Sequence, residues 1–111
     1  MAKYEMKFMF DWGSGTCVWS TNDAARNKYG YFVEISALPV SAELSQFLYK
    51  LCAEHDKALD WKCPSNDLLW SEKEIELFSK EARNGYEKLC KELGEEYKVV
   101  IWFENNKYPF I

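Results

Sequence analysis

Chemistry in this chain would have to start at His55, its one histidine. Cys52 stands one turn earlier, and residues three apart share a helix face, where a thiolate beside an imidazole makes a nucleophile. The same spacing on an amphipathic helix carries both side chains into the core, and no oxyanion donors accompany them, so a packed histidine is the stronger reading. A single histidine excludes a two-histidine metal site. Cys17, Cys52, Cys63 and Cys90 are too far apart for a CxxC pair or a zinc ribbon, so neither metal nor cofactor is expected. Gly13-Ser14-Gly15-Thr16 lacks the lysine of a phosphate loop and opens no helix, which leaves it a hairpin turn. Asp11, Asp23, Asp56, Asp60 and Asp67 lie in or beside loops. Two of them could act as an acid and a base, but Asp recurs at turns and caps for its backbone hydrogen bonds. No residue is assigned a catalytic role.

The tryptophans point elsewhere. Trp12, Trp19, Trp61 and Trp70 flank turns or loops, where a structural and a binding role are both open, while Trp102 reads as core. Asp11-Trp12 and Asp60-Trp61 would form one aromatic and acidic patch if their loops converge, and such a patch suits a basic protein partner. The candidate partner-binding set is Asp11, Trp12, Trp19, Asp23, Asp56, Asp60, Trp61, Asp67 and Trp70.

These residues need a scaffold. Tyr4, Met6, Phe8 and Phe10 alternate with polar neighbours, the period of a strand with one buried face. The glycine turn then returns the chain through Cys17-Val18-Trp19 as an antiparallel hairpin. Ser20 to Asp23 can cap a short helix, Ala24 to Lys28, which Tyr29-Gly30 ends. Tyr31 to Ile35 reads as a short third strand or an extended edge segment. Ser41 opens a first long helix that ends between His55 and Lys57, with Leu44, Phe47, Leu48, Leu51, Cys52 and His55 on its core face and Ser45 among the solvent-facing residues. Residues 58–70 make a long connection whose Trp, Leu and Pro content suits packing against the body.

A second helix is marked at both ends. Ser71-Glu72-Lys73-Glu74 is a capping box with Trp70 and Ile75 at the staple positions, and Leu93-Gly94 is a C-terminal cap. Between them run Ile75, Phe78, Ala82, Tyr86, Leu89 and Leu93, with Glu76–Lys80 and Glu87–Lys91 spaced as ion pairs. At about 1.5 Å per residue this helix is roughly 33 Å long and must cross most of the domain. Gly85 inside it costs about 1 kcal/mol relative to Ala and marks a close backbone contact. Tyr97 to Phe103 is apolar on both faces and reads as an interior strand pairing with the first. Asn105-Asn106 signals a turn and Tyr108 to Ile111 a short edge segment. The fold class is α+β: a small antiparallel sheet, made of the N-terminal hairpin and the C-terminal strand, packed on two long helices.

At 111 residues the chain is one domain, 1–111. Its net charge of −4 is spread so that no segment offers a basic stripe, which argues against nucleic acid. No apolar run is long enough to span a membrane. The N-terminus shows no signal-peptide pattern, so reduced cysteines and a cytoplasmic location are expected.

Phe10-Asp11-Trp12-Gly13-Ser14-Gly15, Trp19, Asn22-Asp23-Ala24-Ala25-Arg26, Gly30-Tyr31, Leu38-Pro39-Val40-Ser41, Leu59-Asp60-Trp61, Pro64 and Trp70 resemble a group of small uncharacterised bacterial proteins from about residue 8 to 99. In size, acidity and aromatic loops the chain is also similar in type to immunity proteins of polymorphic-toxin and contact-dependent inhibition systems. That likeness implies a non-enzymatic cytosolic inhibitor, monomeric or homodimeric, that blocks a cognate toxin with a basic active-site surface. A small enzyme or ligand-binding domain, with a pocket lined by Trp12, Trp19 and Trp61, is the alternative. A structural or adaptor subunit is a third.

Overall fold

A computed structural model describes residues 2–102 and Phe110. Strand β1 (Tyr4–Phe8) is the middle of a three-stranded sheet, flanked by β2 (Val18–Ser20) and β3 (Tyr97–Ile101). Its alternation works as expected: Tyr4, Met6 and Phe8 are buried and Glu5 and Lys7 half-buried. β1 and β2 pair antiparallel, with Lys7 opposite Trp19, and the N–H of Met9 to the carbonyl of Cys17 continues the hairpin beyond the strands.

The α+β class and the pairing of β1 with the C-terminal strand stand, but the sheet is mixed. β3 runs parallel to β1, with Met6 beside Val99. The helices between them carry the chain back to the starting end of the sheet, so the last strand can run alongside the first, the geometry a long crossover permits. Among the described residues β3 is an edge strand and not an interior one: Val99 is buried while Lys98 and Val100 are exposed. Trp102 is likewise not core. It is 45% exposed on the face away from the helices, with the Lys7 ammonium 4.8 Å from its ring centroid. An apolar run on an edge looks the same in sequence as one in the centre. The turn at Asn105-Asn106 and the return through Tyr108 lie outside the described residues; Phe110 packs on Phe8.

Helix α1 (Asp23–Tyr29) is capped by Asn22, whose side-chain oxygen accepts from the Ala25 and Glu5 N–H groups. Tyr31 to Val33 is extended beside β2 without forming a strand, and a 3-10 turn, Ile35–Ala37, follows. Helix α2 (Ala42–Asp56) starts at Ser41 and buries Leu44, Leu48, Leu51, Cys52 and His55, with Phe47 half-buried. Ser45, expected in solvent, is buried as well, since α2 is covered by the 3-10 turn in addition to α3.

Helix α3 (Glu72–Leu93) has the expected bounds, and its length nearly fills the molecule's 40 Å long dimension. The Ser71 hydroxyl accepts from the Glu74 N–H at 3.3 Å, and a Glu74 carboxylate oxygen accepts from the Ser71 N–H at 3.2 Å. Removing one half of this box by Ser71→Ala should cost about 1 kcal/mol in denaturant unfolding, and an unchanged midpoint would show the cap to be idle. The expected pairs Glu76–Lys80 and Glu87–Lys91 are not made; among the described residues the ion pairs are Arg26–Asp23 and Lys50–Glu54. Exposed partners at that spacing gain too little to hold two long side chains in place.

Candidate functional site

The last turn of α2 leaves carbonyls without helical partners. Two indoles from two separate loops supply donors. Trp12 Nε1 donates to the carbonyl of His55 at 2.9 Å, and Trp61 Nε1 donates to that of Asp56 at 2.7 Å. The Asp56 carboxylate then accepts the Gly13 N–H at 2.8 Å. Gly13 has φ +80°, and a methyl group there would lie 3.4 Å from the Trp61 ring. Glycine is thus needed for the backbone conformation of the turn, while the Trp61 ring passes at a distance that a methyl group would meet as ordinary contact. The hairpin turn and the 58–70 loop converge on one end of α2.

Beneath this junction lies His55, 1% exposed. Its ring stacks on Trp12 at 4.6 Å between centroids and packs against Phe10 and Phe78. Burial pushes its pKa down to about 4, against a smaller upward pull from Asp56. Nε2 is buried and meets no hydrogen-bond partner. A neutral imidazole locked among aromatic rings is a packing element. Among the described residues no hydrogen bond joins it to Cys52, and the other buried thiol, Cys17, has its pKa raised well above the ordinary value by burial first and its contact with Cys52 second. Neither feature makes a thiolate nucleophile.

The nine candidate residues divide. Asp11, Trp12, Asp56 and Trp61 come together, with Asp11 and Trp61 exposed. Asp60 spends its carboxylate inside its own loop, on the N–H groups of Lys62 and Cys63 and the Asn66 amide. The Asn66 bond, followed by those backbone donors, lowers its pKa. Asp67 is exposed in the same loop, whereas Trp70 is half-buried with its ring 5.1 Å from that of Phe78. The loop is buried at Ala58 and half-buried at Leu59, Asp60, Leu68 and Trp70; residues 61–67 are exposed, with Trp61 tied to α2 through its indole N–H.

Trp19 and Asp23 do not join the cluster. Trp19 is 7% exposed, in the Lys7 row of the sheet, covered by Tyr31 and Phe32. Asp23 opens α1, which Asn22 pins to the start of β1, whereas the glycine turn follows that strand's other end. A pocket shared by Trp12, Trp19 and Trp61 is therefore not formed. Sequence reading missed Gly13 as the contact point for Trp61 and both indole caps of α2. Their only trace in the sequence was the pairing of a tryptophan with a turn residue at each loop.

Aromatic side chains fastened to a helix end with carboxylates beside them are features common in the class of binding proteins. The comparison with known families gives that class a narrower form: the model described as Serratia CdiI immunity protein-like matches residues 4–104. The chain belongs to this immunity-protein family. No curated protein matches it. The expected likeness to immunity proteins of contact-dependent inhibition systems thus holds at the level of the family. Among the described residues no helix is long and apolar enough to cross a membrane, and no group of His, Cys, Asp and Glu could hold a metal ion.

Proposed function

We propose that this protein neutralises a cognate toxin domain by binding it through the junction of the glycine turn and the 58–70 loop. It acts in the cytoplasm, as a monomer or homodimer, and performs no chemistry of its own. The observation that carries the reading is the state of Trp61. Trp61 is 56% exposed, yet its indole N–H is held by the Asp56 carbonyl and its ring edge lies beside Gly13. A large aromatic surface held in one orientation loses little entropy on binding, which is what an interface anchor requires. Asp11 and Asp67 add negative charge in the two loops and suit a basic toxin active-site surface, steering its approach.

The test uses the toxin domain encoded by the neighbouring reading frame. Co-expression should restore growth, and the purified pair should form a complex. Trp61→Ala should weaken that complex about tenfold or more while leaving the melting temperature within a few degrees, because the side chain is mostly outside the core. Asp60→Ala, which unpins the loop, should weaken it less. An unchanged dissociation constant for Trp61→Ala would remove this surface from the proposal, and failure of the wild-type chain to bind or rescue would remove the function.

A further inference from the structure

Next to the Trp61 junction a groove of about 280 Å³ runs between the C-terminal end of α2 and the N-terminal half of α3. On α3, Leu77 and Phe78 each stand three or four positions from both Glu74 and Glu81, so two carboxylates bracket an apolar pair on one helix face. Trp70 extends the apolar floor, and Leu77 is 59% exposed, an unusual place for leucine on a helix rich in glutamate. Across the groove α2 contributes Glu54, with Lys57 the one cation in the lining.

The carboxylates have capacity to spare. Among the described residues Glu81 makes no ion pair, Glu54 reaches Lys50 only at 3.8 Å, and the Glu74 contacts to Ser71 use one of its two oxygens. The groove also falls short of the roughly 300–1,000 Å³ of pockets that enclose a small-molecule ligand, while a single long side chain fits it. A second groove of about 480 Å³, at the other end of the α2–α3 seam, lacks this bias: Lys88 and Lys91 offset Glu43 and Glu92, and Glu92 is already bonded to the Ser41 N–H and hydroxyl.

We infer that the groove between Glu54, Trp70, Leu77 and Glu81 is a seat for an arginine side chain of the protein partner. The inference rests on the reading of the chain as a toxin-binding protein and names what the toxin presents. Arginine fits better than lysine because its stem and flat guanidinium can lie along Leu77 and the Trp70 ring while its five donors reach carboxylates on both helices. A lysine ammonium is a hydrated point charge and would use the apolar floor poorly.

The test first uses the arginine alone. N-acetylargininamide titrated into isotopically labelled protein should shift the amide resonances of Leu77, Phe78 and Glu81 and the Trp70 indole, with saturation in the millimolar range. N-acetylcitrullinamide, a neutral isostere, should shift them weakly or not at all. Glu54→Gln with Glu81→Gln should weaken arginine binding about threefold or more, since charge-assisted bonds are roughly twice as strong as neutral ones. Shifts spread evenly over the acidic surface, equal shifts with citrulline, or none at all would overturn the inference. So would concentration-dependent shifts of the same resonances in the protein alone, which would give the groove to a second copy. The toxin domain then separates the two readings. Tight binding that the double variant leaves unchanged overturns the arginine seat and leaves the immunity function standing. Absence of wild-type binding removes the function, and the arginine titration still decides the groove.

Discussion

Gly85→Leu should destabilise the protein by about 3 kcal/mol, the upper end of the range for overfilling a packed core. α3 is buried at Gly85 because α2 passes directly against it. A methyl group built there would lie 3.1 Å from Leu48 Cδ2, 3.2 Å from Leu51 Cδ1 and 3.3 Å from Phe47 Cε2. Alanine presses only on the far ends of three side chains, and it gains about 1 kcal/mol of helix propensity, so Gly85→Ala should lie within about 1 kcal/mol of wild type. Leucine adds three further carbons where no space exists and must push the helices apart. At about 4–8 °C per kcal/mol for a domain of this size, its melting temperature should fall by more than about 10 °C. A leucine variant that melts with the wild type would show that the helix seam is not close-packed.

Gly85 also shows what the sequence could and could not carry. A glycine that costs helix stability, set inside a well-formed amphipathic pattern, implies a close contact, and the contact exists. What touches it could not be read, since the pattern of α3 says nothing of which residues of α2 it meets. The ends of α3 were legible for a related reason: Ser71, Glu74 and Gly94 act through local backbone bonds, which need no tertiary context. Strand β3 is the opposite case. The run from Tyr97 to Ile101 is apolar enough to be a strand, but alternation carries no direction, so its parallel pairing became visible only once the path of the helices was fixed. Trp102 failed for a related reason: an apolar residue is assigned to the core by type, and its actual place depends on where the sheet ends.

At the candidate site, the convergence of Asp11-Trp12 and Asp60-Trp61 was legible as a possibility, because two loops each carried the same residue pair. Its mechanism was not. It depends on the His55 and Asp56 carbonyls at the end of α2, the first of which also accepts the Ala58 N–H, and on indole donors reaching them from residues 43 and 5 positions away in the chain. Asp60 shows the limit of reading charge as surface. Its carboxylate carries loop structure, the role Asp most often plays in turns.

Acidification from pH 7 to pH 5 should remove about 2 kcal/mol of stability, and His55 should account for it. The ordinary histidine pKa is 6.5, and burial among Phe10, Trp12 and Phe78 lowers it to about 4 in the folded protein. The native state therefore holds the imidazole neutral, while the unfolded chain takes up a proton as soon as the pH falls below 6.5. Stability is fully present above 6.5, declines through the interval, and reaches its full loss only near pH 4, where the folded state also binds the proton. Ordinary carboxylates titrate mostly below this window, so the histidine can be isolated. In His55→Phe the ring slot stays filled and the partnerless Nε2 is gone. Its stability at neutral pH should stay within about 1.5 kcal/mol of wild type, as for a near-isosteric exchange, and the loss between pH 7 and pH 5 should nearly vanish. Denaturant melts of both proteins at the two pH values decide it: equal acid sensitivity would mean that His55 does not titrate in the window. The consequence reaches the binding surface, because the imidazole is the floor on which Trp12 stacks and its carbonyl holds the Trp12 indole. A charge forced into that position acts against the turn that carries Gly13 toward Trp61. Acid should therefore loosen the junction before it unfolds the α2–α3 seam, and Trp12 and Trp61 fluorescence should change at a higher pH than helical circular dichroism.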